Sequence, residues 1–290
     1  MISRRTFVIN SGLATAGLLA MPSLAFNMEK KEIGLQLYTL RDELSKDVKL
    51  TLEKVKAAGY TNVETYGFSI KDQFWGISPK ELKNLLDKNK LKAVSGHYNL
   101  GSFLYDGNTV ELIAAIDAAK ILKSEFLTIP WVDEPFRKNI EDYKTIAARL
   151  NQAAKMCKAS GLKLAYHNHD FEFQEHDGIT GYEILLKETD KDLVFFELDL
   201  YWVFRSQNNP LQLFKENPGR FKMWHIKDMD KLNAALNTEV GSGSIDFRAI
   251  LNEAKLSGMK YFFVEQENNF ANNVFDSIKI SCNFISKHLI

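Results

Sequence analysis

Eight short runs of apolar, β-branched and aromatic residues recur about every thirty residues, and this alternation constrains the fold most. They fall at residues 33–40, 61–66, 92–98, 126–131, 163–169, 194–200, 222–227 and 261–266. The stretches between them carry helical periodicity. Leu50, Leu52, Val55 and Ala58 form one stripe that stops at Gly59, and Leu82, Leu85 and Leu86 form another. Residues 110–121 and 143–159 follow the same spacing, the second closing at Gly161. Strand–helix alternation repeated eight times, with no G-x-G-x-x-G turn, predicts an α/β fold closed as a (β/α)8 TIM barrel rather than a doubly wound sheet. No linker or low-complexity tract interrupts residues 26–290, which read as one domain.

Residues 1–25 read as a targeting segment outside that domain. Ser3-Arg4-Arg5-Thr6-Phe7-Val8 is a twin-arginine pattern, followed by a Gly/Ala-rich apolar stretch over residues 13–21. Ser23-Leu24-Ala25 supplies the small residues of a cleavage site. The stretch is too short to serve as a stable membrane anchor, so the mature protein is expected in the periplasm, exported folded by the twin-arginine route. Of the 37 Lys and Arg residues two lie in this leader, leaving 35 against 37 Asp and Glu. A nearly neutral chain without basic runs is a poor partner for nucleic acid. Cys157 and Cys282 lie in helical patterns and are expected as buried thiols, although an oxidising compartment would also let them pair.

Several of the eight runs end in polar residues. Gln36 closes the first, Glu64 the second, His97 the third, His167 and His169 the fifth, Glu197 and Asp199 the sixth, His225 the seventh and Glu265 the eighth. In a barrel these ends converge on one mouth, and residues two apart on a strand share a face. A packed interior does not accept so many ionisable groups unless they pair or hold a cation. The set therefore predicts a site. Trp131 and Trp202 could stack on a sugar ring there or simply fill the core. The bland alternatives are a satisfied core histidine for His225, structural ion pairs for Asp199 and Glu265, and a plain turn for Gly241-Ser242-Gly243.

The fragments Gly34-Leu35-Gln36-Leu37-Tyr38, Val63-Glu64-Thr65-Tyr66-Gly67, Tyr166-His167-Asn168-His169-Asp170-Phe171-Glu172, Glu197-Leu198-Asp199, Trp224-His225-Ile226-Lys227-Asp228 and Val264-Glu265-Gln266-Glu267 occur in this order. In order and spacing the chain resembles the sugar phosphate isomerase/epimerase superfamily, the xylose-isomerase-like TIM barrels. The resemblance implies one divalent metal held by Glu, Asp, His and Glu from strands five to eight. Asp199, His225 and Glu265 match the last three positions, and His167 stands where the first Glu usually lies, with His169 as the alternative. A mixed imidazole and carboxylate set suits Mn, Fe, Co or Zn better than Mg.

The resemblance further implies Glu265, His167 and His169 as catalytic groups and Glu64, His97, Glu197, Trp202 and Lys227 as substrate-binding groups, Glu197 having a ligand-orienting role as its alternative. It implies a small-molecule sugar substrate and is compatible with a homo-oligomer. The expected reaction is metal-dependent isomerisation or epimerisation of a keto or aldo sugar through an enediolate. Three features depart from the epimerases: His occupies the strand-five position, Trp202 replaces a His, and the Arg often placed shortly after the strand-seven His is missing. With the export signal, these keep open a 3-keto-glycoside lyase or hydratase that eliminates an aglycone. A non-catalytic periplasmic sugar-binding protein is the third reading.

Overall fold

Every one of the eight apolar runs forms a strand, and all but the fourth stop within two residues of the polar group that ends the run. A computed structural model describes residues 32–290, so the leader expected over residues 1–25 lies outside the described residues. The strands are β1 Gly34–Gln36, β2 Asn62–Thr65, β3 Lys92–Gly96, β4 Phe126–Ile129, β5 Lys163–His167, β6 Val194–Asp199, β7 Phe221–Ile226 and β8 Tyr261–Val264. Seven parallel pairings run in sequence order from β3 through β2 and β1 to β8, then back through β7, β6 and β5 to β4. The circle closes between β3 and β4, where the Glu125 amide donates to Val94 O and the Tyr98 amide to Thr128 O, both at 2.9 Å. The fold is the (β/α)8 barrel that the alternation requires.

Local chemistry sets where the intervening helices begin. Ser78 with Glu81, Asn139 with Asp142 and Thr180 with Glu183 form reciprocal caps at the starts of helices Pro79–Lys88, Ile140–Ala159 and Gly181–Glu188. Helix Ile140–Ala159 ends because Gly161 adopts φ +79°, which lets the Leu162 amide return to Cys157 O at 2.9 Å. Cys157 and Cys282 are buried, in this helix and in Val274–His288. Among the described residues no helix is long and apolar enough to cross a membrane.

Strand alternation stacks the barrel interior in layers. Val94, Phe126, Ala165, Met223 and Phe263 form a separate buried apolar cluster, with Phe195 and Tyr261 packed on it. Removing the Phe263 ring from such a plug costs about 3–5 kcal/mol by the usual cavity penalty. Two residues further along the same strands stand His167 after Ala165, Glu197 after Phe195, His225 after Met223 and Glu265 after Phe263. A period of two keeps each of these on the face of its apolar predecessor, so the plug becomes the floor of an ionisable layer.

Candidate metal centre

His225 stands at the middle of this layer, fully buried, with both ring nitrogens engaged by carboxylates. Its Nε2 lies 2.8 Å from Glu64 Oε2, and its Nδ1 lies 3.1 Å from Glu265 Oε2 and 3.8 Å from Asp199 Oδ2. Glu64 also accepts from Gln36 Nε2 at 2.7 Å. A carboxylate fixed on one side of a histidine sets its tautomer and orients the other nitrogen, as outer partners of metal-bound histidines do. Asp199, His225 and Glu265 each bring a ligand atom to within 4.8 Å of the other two. Asp199 Oδ1 is used by the Trp202 amide at 3.1 Å, whereas buried Oδ2 has no hydrogen-bond partner. His167 Nε2 adds a fourth donor 4.0 Å from that oxygen. Three converging donors with an orphaned carboxylate oxygen fit a divalent cation, and no protein cation satisfies that oxygen at hydrogen-bond distance.

A second group, His97, His167, Glu197 and His225, overlaps the first at His225. Its centre is filled by Glu197 Oε2, which lies 2.7 Å from His97 Nε2, 3.2 Å from His167 Nδ1 and 3.3 Å from His225 Nε2. The His167 contact is close but misaligned, because that nitrogen makes no hydrogen bond. This group is a paired network. Burial disfavours every charge in it, yet the nearby carboxylates outweigh burial at His97, raising its pKa to about 9, and hold His225 well above the ordinary imidazole range. Burial raises Glu64 and Glu197, and the histidines beside them reverse this, so both carboxyls end below their usual range. At Asp199 burial wins over the pull of Lys227 and His225, and its pKa rises.

Above the layer opens a cavity of about 600 Å³, in the size range of small-molecule sites. His97, His167, His169, Trp202 and Glu265 line it, as does Trp131. His169 is ringed by Trp131, Phe171 and Trp202, with ring centroids at 5.0, 5.5 and 5.6 Å. Burial and the nearby Lys227 charge lower its pKa to about 3, so the ring is uncharged at neutral pH, and its Nδ1 has no partner.

Glu64, Glu197 and Lys227, expected from the sequence to touch substrate, do not line the cavity. The two glutamates lie behind its wall in the histidine network. Lys227 is buried with its Nζ 3.1 Å from Glu265 Oε2 and 3.9 Å from Asp199 Oδ2, and it also pairs with Glu267. The register shifts beside each glutamate: Val63 pairs Ala93 but Glu64 pairs Ser95, and Phe196 pairs Phe221 but Glu197 pairs Met223. Asn99, Arg137 and Gln174 line the cavity without having stood out in the sequence, because they lie in loops beyond the strands; Tyr38, Tyr66 and Glu267 from the quoted fragments line it too.

A parallel eightfold barrel with Asp, His and Glu meeting at the C-terminal ends of its last three strands defines a TIM barrel with a candidate metal site at its mouth. Residues 52–285 match the family of xylose isomerase-like TIM barrels, and the chain belongs to that family. An inosose dehydratase of Clostridium botulinum (strain Alaska E43 / Type E3) is 27% identical over 237 residues, covering 69% of this chain and 78% of that enzyme. Two crystal structures of sugar phosphate isomerase/epimerases from Parabacteroides distasonis ATCC 8503 are also similar. One is 27% identical with a TM-score of 0.80, covering 93% of this chain and 98% of its own. The other is 30% identical with a TM-score of 0.77, covering 88% and 98%.

Proposed function

We propose that this protein is a metal-dependent enzyme that moves a proton at the carbon next to the carbonyl of a sugar or ring polyol, with β-elimination as the outcome. The observation that carries the reading is the convergence of Asp199, His225 and Glu265 on the orphaned Asp199 oxygen beneath a cavity lined by a neutral histidine. His167, Asp199, His225 and Glu265 would hold the ion. When bound, a divalent metal polarises a carbonyl and stabilises the charge that develops on its oxygen.

The chain's own groups supply the rest. His169 lines the cavity as an uncharged ring, so its unprotonated nitrogen takes the proton from the α-carbon and leaves an enediolate. The imidazolium then returns that proton to the β-oxygen. The C–O bond breaks, a C=C bond forms, and water or an alcohol departs. Trp131, Phe171 and Trp202 surround the base and keep bulk water from the intermediate. Glu64 holds the His225 tautomer from behind.

Elimination is favoured over epimerisation by an asymmetry in the cavity. Two-base epimerisation needs two free opposed bases, but Glu64 and Glu197 are tied to histidines, and Glu265, the cavity-lining candidate partner for His169, is paired with His225 and Lys227. The similarity to an inosose dehydratase supports the same outcome. Isomerisation through the same enediolate is the second reading, favoured by the overall likeness to the two isomerase/epimerase structures. The periplasm remains the proposed site of action, on the strength of the twin-arginine pattern. The test is to incubate metal-loaded protein with an inosose and with ketohexoses in deuterated water and read the products by NMR. Deuterium at the α-carbon with loss of water is the expected result, abolished by His169→Gln with the metal retained. Exchange without loss of water would replace elimination by isomerisation. No exchange in metal-loaded protein with any of these substrates would overturn the enediolate chemistry.

A further inference from the structure

Arg137 has no part in the chemistry above, yet among the described residues it is the only Lys or Arg lining the cavity. It follows the turn Glu134–Phe136 in the loop between β4 and helix Ile140–Ala159. Phe136 anchors that turn against Tyr105, with ring centroids 4.2 Å apart. The Arg137 guanidinium carbon sits 3.6 Å from the Phe171 ring centroid and 5.6 Å from that of Trp131, and its Nε donates to Val132 O at 2.9 Å. One face and one edge of the fork are thereby fixed. Neither Nη atom has a hydrogen-bond or ion-pair partner among the described residues, although Asp133 and Glu134 are close in sequence. Asp133 instead accepts from Trp131 Nε1 at 3.0 Å. The buried Glu172 feels the Arg137 charge, but its two oxygens are used by Tyr166 Oη at 2.6 Å and the His169 amide at 2.8 Å.

A guanidinium held flat by an aromatic ring and a backbone carbonyl, with its two terminal nitrogens unclaimed, has already lost the freedom that anion binding would otherwise cost. The spare edge carries parallel N–H donors, the geometry that carboxylates and phosphates match in a bidentate way. Resting on the reading of this cavity as a sugar site, we propose that Arg137 docks an oxyanion on the substrate, so that the site takes acidic sugars or ring polyols. The polyol lies over the ionisable layer and its carboxylate or phosphate lies against the Trp131–Phe171 wall. Arg137 is then a specificity-determining residue.

The test is isothermal titration of D-glucuronate, D-glucose 6-phosphate and D-glucose into metal-free and zinc-loaded protein. At least one of the two acids should bind about ten-fold tighter than glucose even without metal, with the preference weakening as salt rises. The tighter acid identifies the oxyanion as carboxylate or phosphate. Arg137→Gln should remove the preference, whereas Arg137→Lys should keep part of it as a point charge without the fork. Equal binding of all three sugars to the wild-type protein would overturn the inference. So would a preference that survives in Arg137→Gln, or one that appears only with zinc, because the anion would then sit on the metal. A fall in thermal stability of Arg137→Gln with unchanged sugar preference would reduce Arg137 to a wall-packing role. Deuterium exchange on the same preparations keeps the two proposals separate: intact exchange without anion preference overturns only this one, and anion preference without exchange overturns only the enediolate chemistry.

Discussion

The two ends of the barrel carry charge on the same strands but treat it in opposite ways. At the N-terminal end, Lys163 and Tyr261 stand two residues before the apolar plug, on β5 and β8. Glu125 gathers Lys163 at 2.8 Å, Lys260 at 2.5 Å and the Tyr261 hydroxyl at 2.9 Å, all half-exposed to water. At the C-terminal end, two residues after the plug, the charges are buried. There acids meet histidines, and Asp199, Glu64 and Glu197 each keep an oxygen without a partner. Paired exposed charges of the first kind are worth about 0–1 kcal/mol each and serve solubility and register. Buried charges of the second kind cost several kcal/mol per ion unless something compensates them. The difference teaches that the lower ring pairs its charges in water, whereas the upper ring pairs acids with His97, His225 and Lys227 in burial and still leaves carboxylate oxygens without a donor.

The most severe way to break this contrast is Asp199→Asn, which keeps the Trp202 cap but removes the orphaned anionic oxygen. Metal affinity should fall by more than the ~10–100-fold that loss of an outer-sphere partner costs, as equilibrium dialysis against zinc would record. Adding metal to the wild-type protein should sharpen the same contrast. At about one hundred times the dissociation constant it should stabilise the fold by about 2.7 kcal/mol. Calorimetry should register this gain in the wild type and not in Asp199→Asn.

Glu64→Leu comes next, because it leaves His225 Nε2 and Gln36 Nε2 without their shared acceptor. Metal binding should weaken about 10–100-fold, with the ion still bound at saturating concentration. The smallest effect is expected at the lower ring. Glu125→Gln should cost no more than about 1 kcal/mol and leave metal binding unchanged. Burial tends to raise the Glu125 carboxyl, but Lys163 and Lys260 hold it below its ordinary value. Its contribution is therefore complete above the unfolded carboxylate range and fades as pH falls through it, so the wild-type advantage in thermal melts should shrink on acidification.

The barrel was legible because period-two strands and period-3.6 helices leave different marks, and eight repeats of the pair admit few folds. The strand-end chemistry was legible for a related reason: His167, Glu197, His225 and Glu265 each follow an inward apolar residue by two. Which of these residues would face substrate was not. Glu64, Glu197 and His225 obey the same alternation as Glu265, yet of these only Glu265 lines the cavity, because alternation fixes the face of a strand and not the depth at which a side chain is covered by its neighbours. Arg137, Asn99 and Gln174 escaped notice because loop residues have no period; only the folded chain shows that they share one cavity. The sequence left His167 and His169 as alternative ligands, and their surroundings in the fold differ. His167 points its Nε2 toward Asp199, whereas His169 is ringed by aromatic side chains at the cavity wall.

Whether the upper ring is a metal centre can be settled by titrating the purified protein with cobalt(II) and following its visible d–d absorption. A single equivalent should produce bands typical of mixed imidazole and carboxylate ligation, and Asp199→Asn and His225→Ala should abolish them. Absence of any band, or bands that persist unchanged in both variants, would contradict a metal held by Asp199, His225 and Glu265.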